Sequence, residues 1–187
     1  MDQRFYMINE SELERMMKEA AKIGAATALE KLGEERTKHK KELNRKRLHN
    51  TELLMKHYRV LKAHTDHSVF DAMHLQESAA DILINMMSLK DDGMIVESIK
   101  RSAERTAIMM AHIDAMLELF KKLCKSSGNE LQARKYDVLY QLYIAEENMT
   151  VKQLAEHHNI SKESVYADKN SALKQLSALL FGIDALK

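Results

Sequence analysis

The sequence predicts an all-α protein, and three of its properties lead to that prediction. Proline is absent and only five glycines occur among 187 residues, so few positions can interrupt a helix. The frequent residues Leu, Lys, Glu, Ala and Met are all good helix formers. Apolar residues also recur three and four positions apart over long stretches, which is typical of amphipathic helices. With 45% apolar residues, the chain can bury a core.

The first predicted helix begins near Ser11. The segment Ser11-Glu12-Leu13-Glu14 has the form of a capping box, in which a serine is followed three residues later by a glutamate. An apolar face follows at helical spacing, formed by Leu13, Met16, Met17, Ala20 and Ile23. Gly33 is the predicted end or weak point of this helix. Because the helix is amphipathic, its apolar face must pack against a partner.

The middle of the chain predicts a basic helix and then an antiparallel helical hairpin. Residues 34–62 hold ten basic and four acidic residues, although the formal net charge of the whole chain is only +1, and the basic helix is placed at 36–62. Helical spacing continues through 54–86 and resumes over 94–123. The intervening Asp91-Asp92-Gly93 predicts a turn, so the two long helices are expected to pack antiparallel.

A small polar segment at 126–129, Ser-Ser-Gly-Asn, predicts a linker. It divides the chain into two parts with different expected roles. Residues 1–125 form a long-helix and hairpin module that would dimerise or bind a partner. Residues 130–187 form a separate C-terminal domain.

The C-terminal domain has the residue pattern of a helix-turn-helix. A support helix is predicted from its apolar residues, which are Leu131, Tyr136, Val138, Leu139, Leu142 and Tyr143. Thr150 and Gln153 then form a capping box that starts the next helix. Ala155 is small enough to let two helices cross closely. Together these features predict the first helix of the motif.

The turn and the second helix of the motif follow from four further positions. Asn159 tolerates the positive φ that a tight turn needs, and Ile160 would plug the turn. Ser161 is the expected cap of the second helix, whose apolar side begins at Val165. This combination satisfies the steric plan of a helix-turn-helix. An ordinary helix hairpin with a solvated polar face is the competing interpretation.

The segment from Arg134 to Gly182 contains "MTVKQLAEHHNISKESVYADKNSALKQL" and resembles region 4 of sigma factors. It is more similar to the C-terminal part of ArpU-like or RinA-like regulators of phages in Gram-positive bacteria. The stretch "RKRLHNTELLMKHYRVLKAH", Arg45 to His64, resembles the N-terminal part of such proteins. The resemblance implies a sequence-specific transcription regulator, an activator of phage late genes at promoter DNA, with host RNA polymerase as a further partner. Asp168 departs from the pattern, because sigma region 4 usually carries an apolar residue there.

A second helix that starts after Ser161 would present one face to double-stranded DNA. The residues predicted for this face are Ser161, Lys162, Glu163, Tyr166, Ala167 and Asn170. Lysine pairs with guanine or phosphate, asparagine with adenine, and glutamate accepts from cytosine. Thr150, Lys152 and Gln153, at the start of the preceding helix, are expected to contact the DNA backbone. Because Asp168 departs from the pattern, the sequence alone does not fix the register of this helix or the side of the helix on which Asn170 lies.

The basic helix has two open interpretations. Seven of its side chains would contact phosphates beside the main site, namely Arg36, Lys38, Lys40, Lys41, Arg45, Lys46 and Arg47. A solvated helix face explains the same pattern. Residues 129–187 hold seven basic and eight acidic residues, so the reading domain itself has little attraction for DNA. Homodimerisation is therefore expected, because two half-sites multiply the effective affinity.

Other classes of function are less favoured by the sequence. His64, His67, Asp71 and His74 are spaced as metal ligands on a helix, but they lie away from the apolar stripe and fit a solvated face, so no metal or other cofactor is predicted. The sequence contains no Gly-rich phosphate loop and no nucleophile elbow, so an enzyme is not predicted. The signal-peptide pattern and an apolar run of about 20 residues are lacking, which favours the cytoplasm of a bacterial host cell and no membrane partner.

The alternative function is that of an adaptor that binds no DNA. In this hypothesis the helical module docks on host RNA polymerase or on another protein, and the C-terminal helices are only a structural cap. The residues from Lys162 to Asn170 discriminate between the two hypotheses, because reversing charge there matters only if they contact DNA.

Overall fold

The computed structural model describes residues 9–66, 78–100 and 103–182, and these form seven helices and no strand. The all-α prediction is therefore confirmed. The helices are α1 Glu10–Asp66, α2 Ala79–Ser88, α3 Asp92–Lys100, α4 Ala103–Ser126, α5 Glu130–Tyr143, α6 Val151–His157 and α7 Lys162–Phe181. Within this part of the chain no helix is both long and apolar enough to cross a bilayer. The chain divides into two compact units, Met1–Leu43 and Asn44–Lys187.

In the first unit the structure describes residues 9–43, which comprise the cap and the N-terminal part of α1. The helix begins earlier than predicted, because Asn9 and not Ser11 caps it: the Asn9 side chain accepts from the backbone N–H of Glu12 at 2.8 Å. It also continues through Gly33, where an end was expected, since the flanking residues are good helix formers. Six large apolar side chains of this segment are 50–71% exposed, namely Leu13, Met16, Met17, Ile23, Leu29 and Leu32.

The larger hydrophobic core of the second unit receives side chains from every helix except α6. Its largest fully buried members include Leu54 and Leu61 of α1, Phe120 of α4 and Leu139 of α5. Helix α7 adds Ala172, Leu173, Leu176 and Leu180. Cys124 is also part of this core, and burial raises the pKa of its thiol. The C-terminal half of α1 therefore packs with the helices that follow it.

The predicted hairpin of two long helices falls only partly on described residues. The turn lies where expected, and Asp91 caps α3 by accepting from the backbone N–H of Met94 at 3.0 Å. However, the arm predicted over 94–123 is divided into α3 and α4, with residues 101–102 outside the described part of the chain. The other arm falls partly on residues 67–77, which are also not described.

The polar segment 126–129 connects α4 to α5. Gly128 adopts a positive φ of 62°, and the Asn129 side chain caps α5 by accepting from the backbone N–H of Leu131 at 2.9 Å. Contacts between α4 and α5, and between α4 and α7, carry the core across this connection. The compact unit thus extends over both sides, and the functional division at 126–129 stays a prediction.

Candidate nucleic-acid interface

Both helix starts predicted for the helix-turn-helix are present. At α6, the Thr150 hydroxyl accepts from the backbone N–H of Gln153 at 3.3 Å, and the Gln153 side chain accepts from the N–H of Thr150 at 2.7 Å. At α7, the Ser161 hydroxyl accepts from the N–H of Ser164 at 3.2 Å. These bonds satisfy backbone donors that a helix start leaves without partners. The capping predictions for Thr150 and Ser161 are confirmed.

The turn between α6 and α7 depends on Asn159. Its φ is 51°, and it is the only residue other than glycine with a positive φ in the described ranges. The next residue, Ile160, donates its backbone N–H to the Ala155 carbonyl at 2.9 Å and is half-buried, as a plug of the turn should be. Asparagine is among the few side chains that accept this backbone conformation.

Replacing Asn159 with valine is expected to destabilise the protein by about 1–2 kcal/mol, because a β-branched side chain clashes in the left-handed region. The matched control is Asn159→Gly, which keeps the positive φ accessible and should unfold at a urea concentration close to that of the wild type. Chemical denaturation followed by circular dichroism measures both. Equal midpoints for the two variants would show that the turn does not need this conformation.

A small core holds the three C-terminal helices around this turn. Val138 of α5, Leu154 and Ala155 of α6, and Val165 of α7 are all buried. Four half-buried side chains pack against them, namely Leu142, Met149, Val151 and Ile160. The four positions that predicted the motif, Ala155, Asn159, Ile160 and Val165, therefore occupy the places that the prediction gave them.

Asp168 establishes the register of α7. Its side chain is 6% exposed and accepts from the Arg134 guanidinium of α5, with 2.7 Å between Nε and Oδ2. It faces inward, as Val165 and Ala172 do three and four residues away. Asn170 consequently lies on the exposed side of the helix. The ion pair between Arg134 and Asp168 joins α5 to α7 at this position.

All nine residues predicted to contact DNA are exposed, namely Thr150, Lys152, Gln153, Ser161, Lys162, Glu163, Tyr166, Ala167 and Asn170. The backbone N–H of Glu163 and then the Ser161 hydroxyl lower the pKa of the Glu163 carboxyl. This carboxylate can therefore only accept hydrogen bonds near neutral pH. Tyr166 is 50% exposed, which is unusual for an aromatic residue in an otherwise well-packed helix.

Lys169 borders this face and connects it to α1. Its ammonium lies 3.3 Å from Oε1 of Glu52 and 5.9 Å from the centre of the Tyr166 ring. Burial raises the pKa of Glu52, but Lys169 and Lys56 outweigh burial and lower it. The Glu52 carboxylate thus stays charged and holds Lys169 beside Tyr166. Sequence analysis missed this pair because 117 residues separate its members.

The seven basic residues predicted to contact phosphates lie on α1. Arg36, Lys38, Lys40 and Lys41, in the first unit, are exposed. In the second unit Arg45 and Lys46 are exposed, whereas Arg47 is half-buried. Their side chains are in position to meet solvent or a polyanion along the helix.

Only one of the four residues that the sequence spaces as metal ligands is described by the structure. His64 is described, while His67, Asp71 and His74 lie outside the described residues. A second set of residues comes together at the end of α6, formed by Asp137, His157 and His158. No sequence spacing reveals this set, because Asp137 lies 20 residues before His157. The adjacent histidines are the only local signal.

The C-terminal helices thus combine a capped two-helix motif, a buried ion pair that orients α7, and an exposed face with donors, acceptors and an aromatic ring. An α-helix that is held on one side and polar on the other can enter the major groove of DNA. No protein-family model, curated protein or solved structure matches this chain.

Proposed function

We propose that this protein is a sequence-specific DNA-binding regulator of transcription that reads promoter DNA with α7. The observation that supports this most directly is the two-sided character of α7. Val165, Asp168 and Ala172 hold one side against the protein, while Lys162 and Asn170 are exposed on the other. Side chains that specify bases must be presented by a rigid element.

The exposed side chains of α7 supply complementary hydrogen-bonding groups. Lys162 donates to guanine or to phosphate, Asn170 pairs with adenine, and Glu163 accepts from cytosine. Thr150, Lys152 and Gln153 at the start of α6 would contact the sugar-phosphate backbone and fix the register of α7 on the duplex. Of these, Lys152 lies 3.9 Å from Glu156 in a highly exposed pair, which a phosphate can readily replace.

The basic residues of α1 would add electrostatic affinity for DNA. Residues 129–187 hold seven basic and eight acidic residues, so α7 alone would bind DNA weakly. The basic residues from Arg36 to Arg47 would add affinity that does not depend on sequence and that falls as salt rises.

A second copy of the chain is the proposed partner of the first unit. The exposed apolar side chains from Leu13 to Leu32 lie on a helix that is long enough for helix pairing. A homodimer would place two reading helices on two half-sites. The resemblance to ArpU-like and RinA-like regulators further supports an activator of phage late genes that also contacts host RNA polymerase.

Replacing Lys162 with glutamate is expected to weaken binding to the cognate site by about 1–3 kcal/mol, or about 5- to 150-fold, because a donor to guanine or phosphate becomes an acid. The probe is double-stranded DNA from upstream of the protein's own gene, titrated by fluorescence anisotropy over a range of salt concentrations. Asn170→Ala should reduce the preference for that DNA over an unrelated duplex of equal length.

The matched control is Lys122→Glu, on the exposed surface of α4, which changes the net charge by the same amount. It should bind nearly as tightly as the wild type. Equal losses in both variants would mean that only net charge matters and would contradict sequence reading by α7. No binding of any duplex by the wild type would also contradict the proposal and would favour the adaptor that docks on RNA polymerase or another protein.

A further inference from the structure

Asp137, His157 and His158 form a cluster that DNA reading does not require. Asp137 lies on α5, His157 is the last residue of α6, and His158 is the C-cap of α6. One potential ligand atom from each residue lies within 4.8 Å of the other two. We propose that these three side chains bind one divalent transition-metal ion, with Zn²⁺ as the best fit.

The chemistry of the three groups suits zinc. Imidazole nitrogens and a carboxylate oxygen are common zinc ligands, and metals of this class bind two imidazoles more tightly than Mg²⁺ or Ca²⁺ does. Ligands at ~2.1 Å from a tetrahedral ion lie ~3.4 Å from one another. The spacing in the cluster is at most 4.8 Å, so small side-chain rotations are enough to close it. Water would complete the coordination, since only three protein ligands are present.

One part of the cluster is already organised. Nε2 of His158 lies 2.9 Å from Oδ2 of Asp137, and the His158 side chain is only 17% exposed. The other oxygen of Asp137 accepts from the Gln141 side-chain amide at 3.4 Å. The bond from Gln141 is of the outer-shell kind that orients a ligand and tunes its affinity for metal, whereas the ion would take the place of the proton between His158 and Asp137, which is released to solvent. Two of the three ligands are therefore held in place before an ion binds.

His157 supplies the adjustable ligand. It is exposed, and its ring packs edge-on against the His158 ring with 4.7 Å between their centres. Among the described residues it has no hydrogen-bond or ion-pair partner. A metal ligand must keep a ring nitrogen available for the ion. His157 meets this condition, because neither of its ring nitrogens bonds to another described residue. An ion held here would join α5 to the end of α6, next to Asn159 in the turn.

Isothermal titration of ZnCl₂ into the chelator-treated full-length chain tests the site without DNA. One ion per chain is expected at this cluster, and His157→Ala should weaken that binding at least about 100-fold. Because His157 makes no hydrogen bond with the described residues, this variant should keep the fold, which circular dichroism checks. Gln141→Ala, which removes only the orienting bond, should weaken binding about 10-fold. With Co²⁺ in place of Zn²⁺, visible absorption reports a tetrahedral site directly.

The matched control is His39→Ala, which removes an exposed histidine from α1. It should bind zinc as the wild type does. Equal affinities in His157→Ala and His39→Ala would overturn the proposal and assign any bound zinc to other histidines of the chain. Absence of zinc binding by the wild type would overturn it as well. Neither result bears on DNA binding, so the two proposals fail independently.

Discussion

Replacing Arg134 with alanine is expected to destabilise the protein by about 3–5 kcal/mol, because the substitution leaves the Asp168 carboxylate buried without its ion-pair partner. Asp168 is 5% exposed and cannot recover hydration without opening the contact between α5 and α7. A domain of this kind is stable by only about 5–15 kcal/mol, so this loss is large. Urea denaturation monitored by circular dichroism measures it.

Two further variants make this prediction specific. Asp168→Ala should cost less than Arg134→Ala, because the Arg134 side chain is 29% exposed and can be hydrated. Replacing both with apolar residues, as in Arg134→Met with Asp168→Leu, should be close to neutral. If Arg134→Ala were no more damaging than Lys152→Ala, in an exposed pair, Asp168 would not depend on Arg134.

Replacing Leu154 with alanine is expected to destabilise the protein by about 2–5 kcal/mol, through lost burial and the cavity that remains. Leu154 is fully buried in the small core that holds α6 and α7 together. The proposed DNA binding should fall with the folded fraction near the melting temperature of the variant and should be largely kept at low temperature. Thermal denaturation and anisotropy on the same samples measure the two effects.

The matched control is Leu131→Ala on α5, where the side chain is 41% exposed. The same atoms are removed, but much less of their surface is buried than in Leu154, so the melting temperature should fall by much less. Similar losses in both variants would contradict the burial of Leu154. Loss of DNA binding by the Leu154 variant at a temperature where it is fully folded would mean that the contact with DNA, and not stability, had changed.

Local features of this fold could be predicted from the sequence because each depends on neighbouring residues. Thr150 and Ser161 cap helices by accepting from backbone N–H groups three residues away. Asn159 adopts a conformation that few residue types accept. Val165 is buried because helical spacing places it on the inner face. These features define the motif within one short segment of the chain.

Features that depend on distant contacts could not be predicted. Arg134 and Asp168 are 34 residues apart, and Glu52 and Lys169 are 117 apart, so no periodicity connects them. The sequence favours Ser11 over Asn9 as the cap of α1, because Ser11 is followed by the glutamate of a capping box. In each case the outcome depends on three-dimensional contacts that the local sequence does not specify.

The core that continues across residues 126–129 affects how α5 and α7 open and close. Leu139, Leu173 and Leu176 are buried together with residues of α1 and α4, so α5 and α7 cannot unfold alone without exposing that surface. Their amide hydrogens are therefore expected to exchange with solvent only in openings that also involve α4, as members of one cooperative unit. The short α6 contributes nothing to that core, so its amide hydrogens are expected to exchange through smaller fluctuations. We therefore expect slow exchange in α7 and faster exchange in α6.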